Sequence, residues 1–109
     1  TGMQLIRAII RPTKTNEVIT ELLAAGFPAV TKMEVYGRGK QKGIIVGNVQ
    51  YDEIPKEMLM IVCDDENTDD IVKIIIRTAR TGAGNFGDGK IFVSPVSEAY
   101  TVSNGKAEL

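Results

Sequence analysis

The chain has 109 residues, 43% of them hydrophobic and 25% charged, with a formal net charge of −1; that is material for one domain around one core. The near-neutral balance argues against a protein built on bulk electrostatic attraction to nucleic acid. Cys63 is the single cysteine and histidine is absent, which excludes an intrachain disulfide, the usual Cys/His zinc centres and histidine-based acid–base catalysis.

Thr1-Gly2 ahead of Met3 reads as the remnant of a removed tag, with the natural start at Met3. No signal-peptide pattern or apolar run of spanning length follows, so a cytoplasmic protein without membrane insertion is expected. Met3 to Arg11 reads as a strand stopped by Pro12. Thr13 or Thr15 is placed to cap the next helix, with Val18, Ile19, Leu22 and Ala25 on one face and Gly26 as its stop. Ala29 to Val35 alternates as a second strand and enters a basic loop, Gly37-Arg-Gly-Lys-Gln-Lys-Gly43. Ile44 to Pro55, with Gly47-Asn48 and several polar residues, reads as a long mobile loop.

Met58 to Cys63 is a third, buried strand. Asn67 or Thr68 would cap a second helix whose first turn holds Asp69 and Asp70, where the macrodipole favours acids. Its apolar face carries Ile71, Ile74, Ile75 and Thr78, with Arg77 and Arg80 near its end. Lys90 to Val93 is a fourth strand ending at Pro95, and Val96 to Leu109 is a mostly polar tail with a short strand around Tyr100. The expected fold class is α+β: a ferredoxin-like βαβ–βαβ sandwich with a long loop after strand 2. Two helices cover one face of such a sheet, so the other is expected to be buried by assembly.

The chemistry concentrates in Thr81-Gly-Ala-Gly-Asn-Phe-Gly-Asp-Gly-Lys90. Gly82, Gly84, Gly87 and Gly89 permit φ > 0 and leave backbone N–H groups unobstructed, and such turns form anion-holding concavities to which Lys90 adds a positive charge. With the Gly37–Gly43 segment, this suggests a nucleotide held between two loops. Other conspicuous residues carry plainer readings. Cys63, Met58 and Met60 suit packing, and Asp64, Asp65 and Glu66 suit a solvated cap region better than a metal cluster. Tyr51 is equally a target contact or a locally packed ring.

Arg-Ala-Ile-Ile-Arg-Pro (7–12), Gly-Lys-Gln-Lys-Gly (39–43), Ile-Pro-Lys (54–56) and Thr-Ala-Arg-Thr-Gly…Gly-Asp-Gly-Lys-Ile-Phe-Val (78–93), in that order, resemble the PII nitrogen-signalling family. The resemblance implies one domain over 3–109 that forms trimers, with a T-loop at about 37–55, a B-loop at about 81–90 and a C-terminal tail at about 97–109. It implies ATP or ADP in clefts between subunits, and 2-oxoglutarate bound together with Mg-ATP. Carried over by position, the nucleotide would meet Ile9, Thr31, Lys40, Gln41, Lys42, Val62, Thr81, Gly82, Gly87, Asp88, Gly89 and Lys90. 2-Oxoglutarate would meet Gly39, Gln41, Lys42, Gly43 and Lys56, and Gln41 would help hold Mg²⁺, which a neutral amide can do. Ile44, Ile45, Val49 and Tyr51 would face a target protein.

The chain departs from the common family pattern at four places. A one-spaced arginine pair in the tail is replaced by Thr101 and Ser103, removing two charge-assisted phosphate contacts. The B-loop is lengthened at Ala83-Gly84-Asn85-Phe86, an acid of strand three is replaced by Met60, and the T-loop is short, with Tyr51 four residues before Pro55. The short T-loop with Tyr-Asp-Glu-Ile-Pro-Lys (51–56) and Ser-Pro-Val (94–96) resembles the first of two paralogues found beside nitrogenase genes. The implied function is non-enzymatic: a homotrimer, or a hetero-oligomer with the second paralogue, binds the dinitrogenase component and blocks its reductase, and 2-oxoglutarate with ATP relieves the block. The alternative target is an ammonium channel or an assimilation enzyme such as glutamine synthetase. An enzyme on this fold is disfavoured by the lack of a nucleophile–base pair. A nucleic-acid module is disfavoured because Phe92 is the only clear aromatic offered by the sheet.

Overall fold

Alternating side chains along Met3–Ile10 (β1) decide the middle of the molecule: Ile6, Ala8 and Ile10 are buried on one face, and Leu5, Arg7 and Ile9 point to the other. The computed structural model describes residues 2–38, 44–46, 49–51 and 53–109. The remaining elements are α1 (Thr15–Ala24), β2 (Thr31–Gly37), β3 (Ile44–Val46), β4 (Val49–Tyr51), β5 (Ile54–Asp64), α2 (Thr68–Ala79) and β6 (Gly89–Val96). Short 3₁₀ turns, Pro12–Lys14 and Asp65–Asn67, precede the two helices.

The main sheet has four strands in the order β2-β5-β1-β6, every neighbouring pair antiparallel. This is the split βαβ arrangement expected from the element order. Both helices lie on one face. Val18 and Leu22 of α1 and Ile71, Ile74, Ile75 and Ala79 of α2 close over Ile6, Ala8 and Ile10 and over Leu59, Ile61 and Cys63 of β5. The other face presents Leu5, Arg7 and Ile9, Met58, Met60 and Val62, Thr31, Met33 and Val35, and Lys90, Phe92 and Ser94, as the pairing registers require. It is largely apolar, with Arg7 at its centre and Lys90, Thr31 and Ser94 on its outer strands, and Phe92 on it is 52% exposed.

The structure revises several boundaries. Ile44 to Pro55 is not loop throughout. Ile44–Val46 and Val49–Tyr51 pair as an antiparallel hairpin, and Ile54 and Pro55 already belong to β5. The signal was present: β-branched residues flank a two-residue Gly-Asn connection, a common hairpin spacing. β6 continues through Pro95, which an outer strand tolerates because one side carries no ladder bonds.

Neither helix uses the expected side-chain cap. Each is entered through a 3₁₀ turn whose i→i+3 bonds occupy the first N–H groups, such as Thr15 N to the Pro12 carbonyl and Thr68 N to the Asp65 carbonyl. Thr15 is instead buried, its hydroxyl unpaired among the described residues, and Thr68 sits 3.6 Å from the Cys63 sulfur. The end of α1 follows expectation. Gly26 has φ +92°, and Phe27 N and Gly26 N donate to the Leu22 and Leu23 carbonyls at 2.8 and 3.0 Å, a Schellman stop. Ala25 falls in this exposed turn and not on the buried face.

Leu59 is fully buried where both helices meet the sheet. Leu59→Ala is therefore expected to lower unfolding free energy by about 3 kcal/mol, within the range for fully buried leucines, as read from urea denaturation.

Candidate functional site

The pairing registers bring three charged residues to one end of the sheet. Ile10 pairs with Glu57 on one side and Gly89 on the other. One residue further on, Lys56, Arg11 and Asp88 therefore form a row across three neighbouring chain segments. They share the parity of Met58, Ile9 and Lys90 and so project toward the open face. Pro12 ends β1 immediately after Arg11, which leaves that guanidinium free to reach sideways.

Asp88 is the hub of this row. Its carboxylate accepts from Thr81 Oγ1 at 2.6 Å, Asn85 N at 2.8 Å, Thr81 N at 3.2 Å and Arg11 Nε at 3.2 Å. Asn85 Nδ2 returns to the Thr81 carbonyl and hydroxyl at 3.0 and 2.9 Å, so the two ends of the loop are laced together. The Thr81 hydroxyl above all holds the Asp88 carboxyl well below the usual carboxylate range; burial opposes it, and the Asn85 and Thr81 amides and Arg11 add to the lowering. Arg11 Nη2 also binds the Phe86 carbonyl at 2.9 Å, and Lys56 Nζ donates to the Gly87 carbonyl. Partial burial, then the neighbouring Arg11, lowers the Lys56 pKa, with Asp88 acting in the opposite direction.

The glycines have specific work in this loop. Gly82, Gly84, Gly87 and Gly89 all have positive φ. Gly89 is the tightest: a Cβ there would lie 2.0 Å from the Ile9 carbonyl oxygen. That is a clash with backbone, which cannot move aside. Residues 81–89 can therefore return into β6 only with glycine at this position.

The residues expected to meet a nucleotide fall into two groups. Ile9 and Lys90 are cross-strand partners, and Thr81, Gly82, Gly87, Asp88 and Gly89 lie beside them. Thr31 and Val62 are elsewhere. β2 begins at Thr31 opposite Met60, so the β5 edge from Ile61 to Asp64 has no partner strand. A cleft of about 620 Å³ opens there, lined by Phe27, Thr31, Val62, Asn67 and the C-terminal Leu109 among others. From Lys90 to Thr31 or Val62 is roughly 15 Å across the open face, by strand spacing and rise. A single chain thus carries the two groups at opposite edges and ends of its sheet.

Of the residues expected to meet 2-oxoglutarate, Lys56 lies in the charged row. Gly39, Lys40, Gln41, Lys42 and Gly43 lie outside the described residues. Ile44, Ile45, Val49 and Tyr51 fall in the β3–β4 hairpin. The tail carries the expected short pairing: Tyr100 bridges to Ala107, and Thr101 N donates to the Lys106 carbonyl at 2.9 Å. Arg11 was missed as a site residue. Its sequence signal was a cation directly before the proline that ends the central strand, but its partners lie 75 and 77 positions away. Asp65 binds Gln4 Nε2 at 2.8 Å, and among the described residues no three His, Cys, Asp or Glu side chains converge. Among the same residues no helix is long and apolar enough to cross a membrane.

A split βαβ domain whose glycine-rich loop is tied to one end of its sheet is the class this geometry defines. The family model for nitrogen regulatory protein P-II matches residues 3–106, and the chain belongs to that family of non-enzymatic signal proteins. It is 61% identical over 100 residues to the nitrogen fixation nifHD region GlnB-like protein 1 of Methanobacterium ivanovii, covering 92% of this chain and 93% of the relative. It is 40% identical over 124 residues to the GlnB-like protein 2 of the same kind of region in Methanothermococcus thermolithotrophicus, covering 95% and 94%. The crystal structure of Arabidopsis thaliana PII bound to citrate superposes with a TM-score of 0.80 at 31% identity, over 99% of this chain and 87% of the plant protein.

The Asp88 hub has a pH signature. Because its folded pKa is depressed, its contribution to stability is complete above the unfolded carboxylate value of about 4 and drains away as pH falls toward the folded value. Asp88→Asn is expected to cost about 2 kcal/mol at neutral pH, the scale of a hydrogen bond to a charged group, and to flatten the loss of stability below pH 4. Urea unfolding midpoints of both proteins at pH 7 and pH 3 check this. Separately, Gly89→Ala should destabilise by more than about 1 kcal/mol, the ordinary effect of a mutation, since positive φ and a backbone clash act together.

Proposed function

We propose that this protein is a PII-type sensor of ATP or ADP and 2-oxoglutarate that regulates nitrogenase post-translationally by binding the dinitrogenase component. The observation carrying the target is the 61% identity, over nearly the whole length, to a protein named for the nifHD nitrogen-fixation region. The 40% likeness to a GlnB-like protein 2 supports a hetero-oligomer with a second paralogue as an alternative to the homotrimer.

The geometry supports an intersubunit nucleotide site. The Thr31–Val62 cleft and the 81–90 loop stand toward opposite edges of one sheet, and subunits set edge to edge would bring one of each together. The open sheet face, apolar apart from Arg7 and Lys90, is the surface such an assembly would bury. In this reading the nucleoside rests in the Thr31–Val62 cleft of one subunit and its phosphates on the Gly87–Lys90 segment of the next.

Lys56 meets 2-oxoglutarate, for which the Gly87 carbonyl is its resting partner. The described residues lack a carboxylate cluster for a resident metal. Mg²⁺ would thus arrive on the triphosphate, with Gln41 as the protein donor and its charge offsetting that of the phosphates. Ligand-dependent regulation then requires that 2-oxoglutarate with Mg-ATP bind one conformation of residues 37–55 in preference to others.

Native mass spectrometry with ATP, ADP and 2-oxoglutarate is expected to give a trimer or a mixed oligomer carrying nucleotide. Lys90→Ala should weaken ATP binding roughly tenfold or more by calorimetry, the scale of one charge-assisted hydrogen bond. Affinity capture from nitrogen-fixing cells should recover the dinitrogenase component and release it with ATP plus 2-oxoglutarate. Failure to bind adenine nucleotide would sink the sensor reading. Capture of an ammonium channel without nitrogenase would move the target.

A further inference from the structure

The loop between α2 and β6 has both kinds of backbone group, yet only a loop that presents donors can hold an anion. Three of its acceptors, in the turn 86–88, are engaged by side chains from outside it. Arg11 spans two of them, the Asp88 carboxylate at 3.2 Å and the Phe86 carbonyl at 2.9 Å, and Lys56 takes the Gly87 carbonyl. Among the described residues the N–H groups of Phe86 and Gly87 have no internal acceptor. The Phe86–Asp88 turn is thereby sorted by polarity, the Phe86 and Gly87 carbonyls and the Asp88 carboxylate engaged and these donors available.

We propose that Arg11 is a positioning residue for polyphosphate binding: by holding Phe86 and Asp88 together it shapes the 81–90 loop into a surface of backbone donors. This deepens the reading that the loop carries a nucleotide's phosphates, and rests on it.

Two features make arginine suited to the task. Its Nε and Nη2 form a rigid fork that reaches two acceptors two residues apart, which the single ammonium of lysine does not reproduce. The Arg11 and Asp88 side chains are also only 27% and 18% exposed, so the pair is more than a solvent-screened surface contact. Arg11 further neutralises a carboxylate that would otherwise stand beside the incoming anion. Without it, the Phe86 oxygen loses its partner and the Asp88 charge, still bonded to Thr81 and Asn85, stands uncompensated beside the donors, and the loop loses its preference for negative charge.

The test compares wild type, Arg11→Ala and Arg11→Lys by calorimetry with ATP and with inorganic triphosphate, alongside thermal midpoints and amide exchange at Asn85 and Asp88, whose N–H groups are bonded within the loop. Arg11→Ala is expected to weaken both ligands roughly tenfold, the scale of one charge-assisted hydrogen bond. Arg11→Lys should fall between Arg11→Ala and wild type, because it restores the charge and one contact but not the fork. Affinity unchanged in Arg11→Ala overturns the proposal. So does full recovery in Arg11→Lys, which would make charge alone sufficient, or an affinity loss that merely tracks the thermal midpoint. If Arg11→Ala does not fold, Arg11→Lys carries the comparison alone. If wild type binds neither ligand, the nucleotide reading falls. The positioning role is then decided by amide exchange, where faster exchange at the hydrogen-bonded Asn85 and Asp88 amides in the variants supports it and unchanged exchange overturns it.

Discussion

The register of β1 between β5 and β6 is the constraint on which the rest of the structure depends. β1 is paired on both sides along its whole length, and a shift of one residue would turn Ile6, Ala8 and Ile10 out of the core. Burial of those side chains therefore locks the alignment of all three strands. The same alignment sets Lys56, Arg11 and Asp88 in one row at the sheet's end. The core, with no polar chemistry of its own, thus decides where the polar site is.

From that row the loop chemistry follows. A carboxylate receiving four donors is an organising anion inside the protein, and its oxygens are not available to a ligand in this arrangement. Asp88, expected among the nucleotide contacts, has its side chain engaged in shaping the turn. Lys56 plays two parts by virtue of position: it begins on the strand that leaves the T-loop and ends on the B-loop carbonyl of Gly87. A ligand drawing on that ammonium must disturb or share this contact. The base of the T-loop and the glycine-rich loop are accordingly joined through one side chain, a physical path by which occupancy of one region can bias the other.

Much of this was legible in the chain. The period-2 burial of β1 and β5, the helical spacing of Ile71, Ile74 and Ile75, and the Gly26 stop are local patterns, and local patterns survive into the fold when packing agrees with them. The helix caps misled because Thr15 and Thr68 were read as ordinary capping residues. The 3₁₀ entries, which satisfy the same N–H groups by backbone bonds, have no comparably plain residue signature. The hairpin Ile44–Tyr51 was passed over because polar composition was weighed above the alternation beside Gly47-Asn48. The sequence also marked the glycine loop as the candidate site, but not Arg11, whose partners are distant along the chain.

By itself, then, the sequence determined the order and type of the main-sheet strands and helices, the helices' buried faces, the family and the glycines through which a loop can expose its backbone. These depend on neighbours within a few residues, or on motifs kept in order. Only the tertiary structure decided which charges meet, that Asp88 serves the loop, and that Thr31 and Val62 stand across the sheet from Lys90. Those are matters of strand register and sheet order, and they are set by how side chains pack between elements dozens of residues apart.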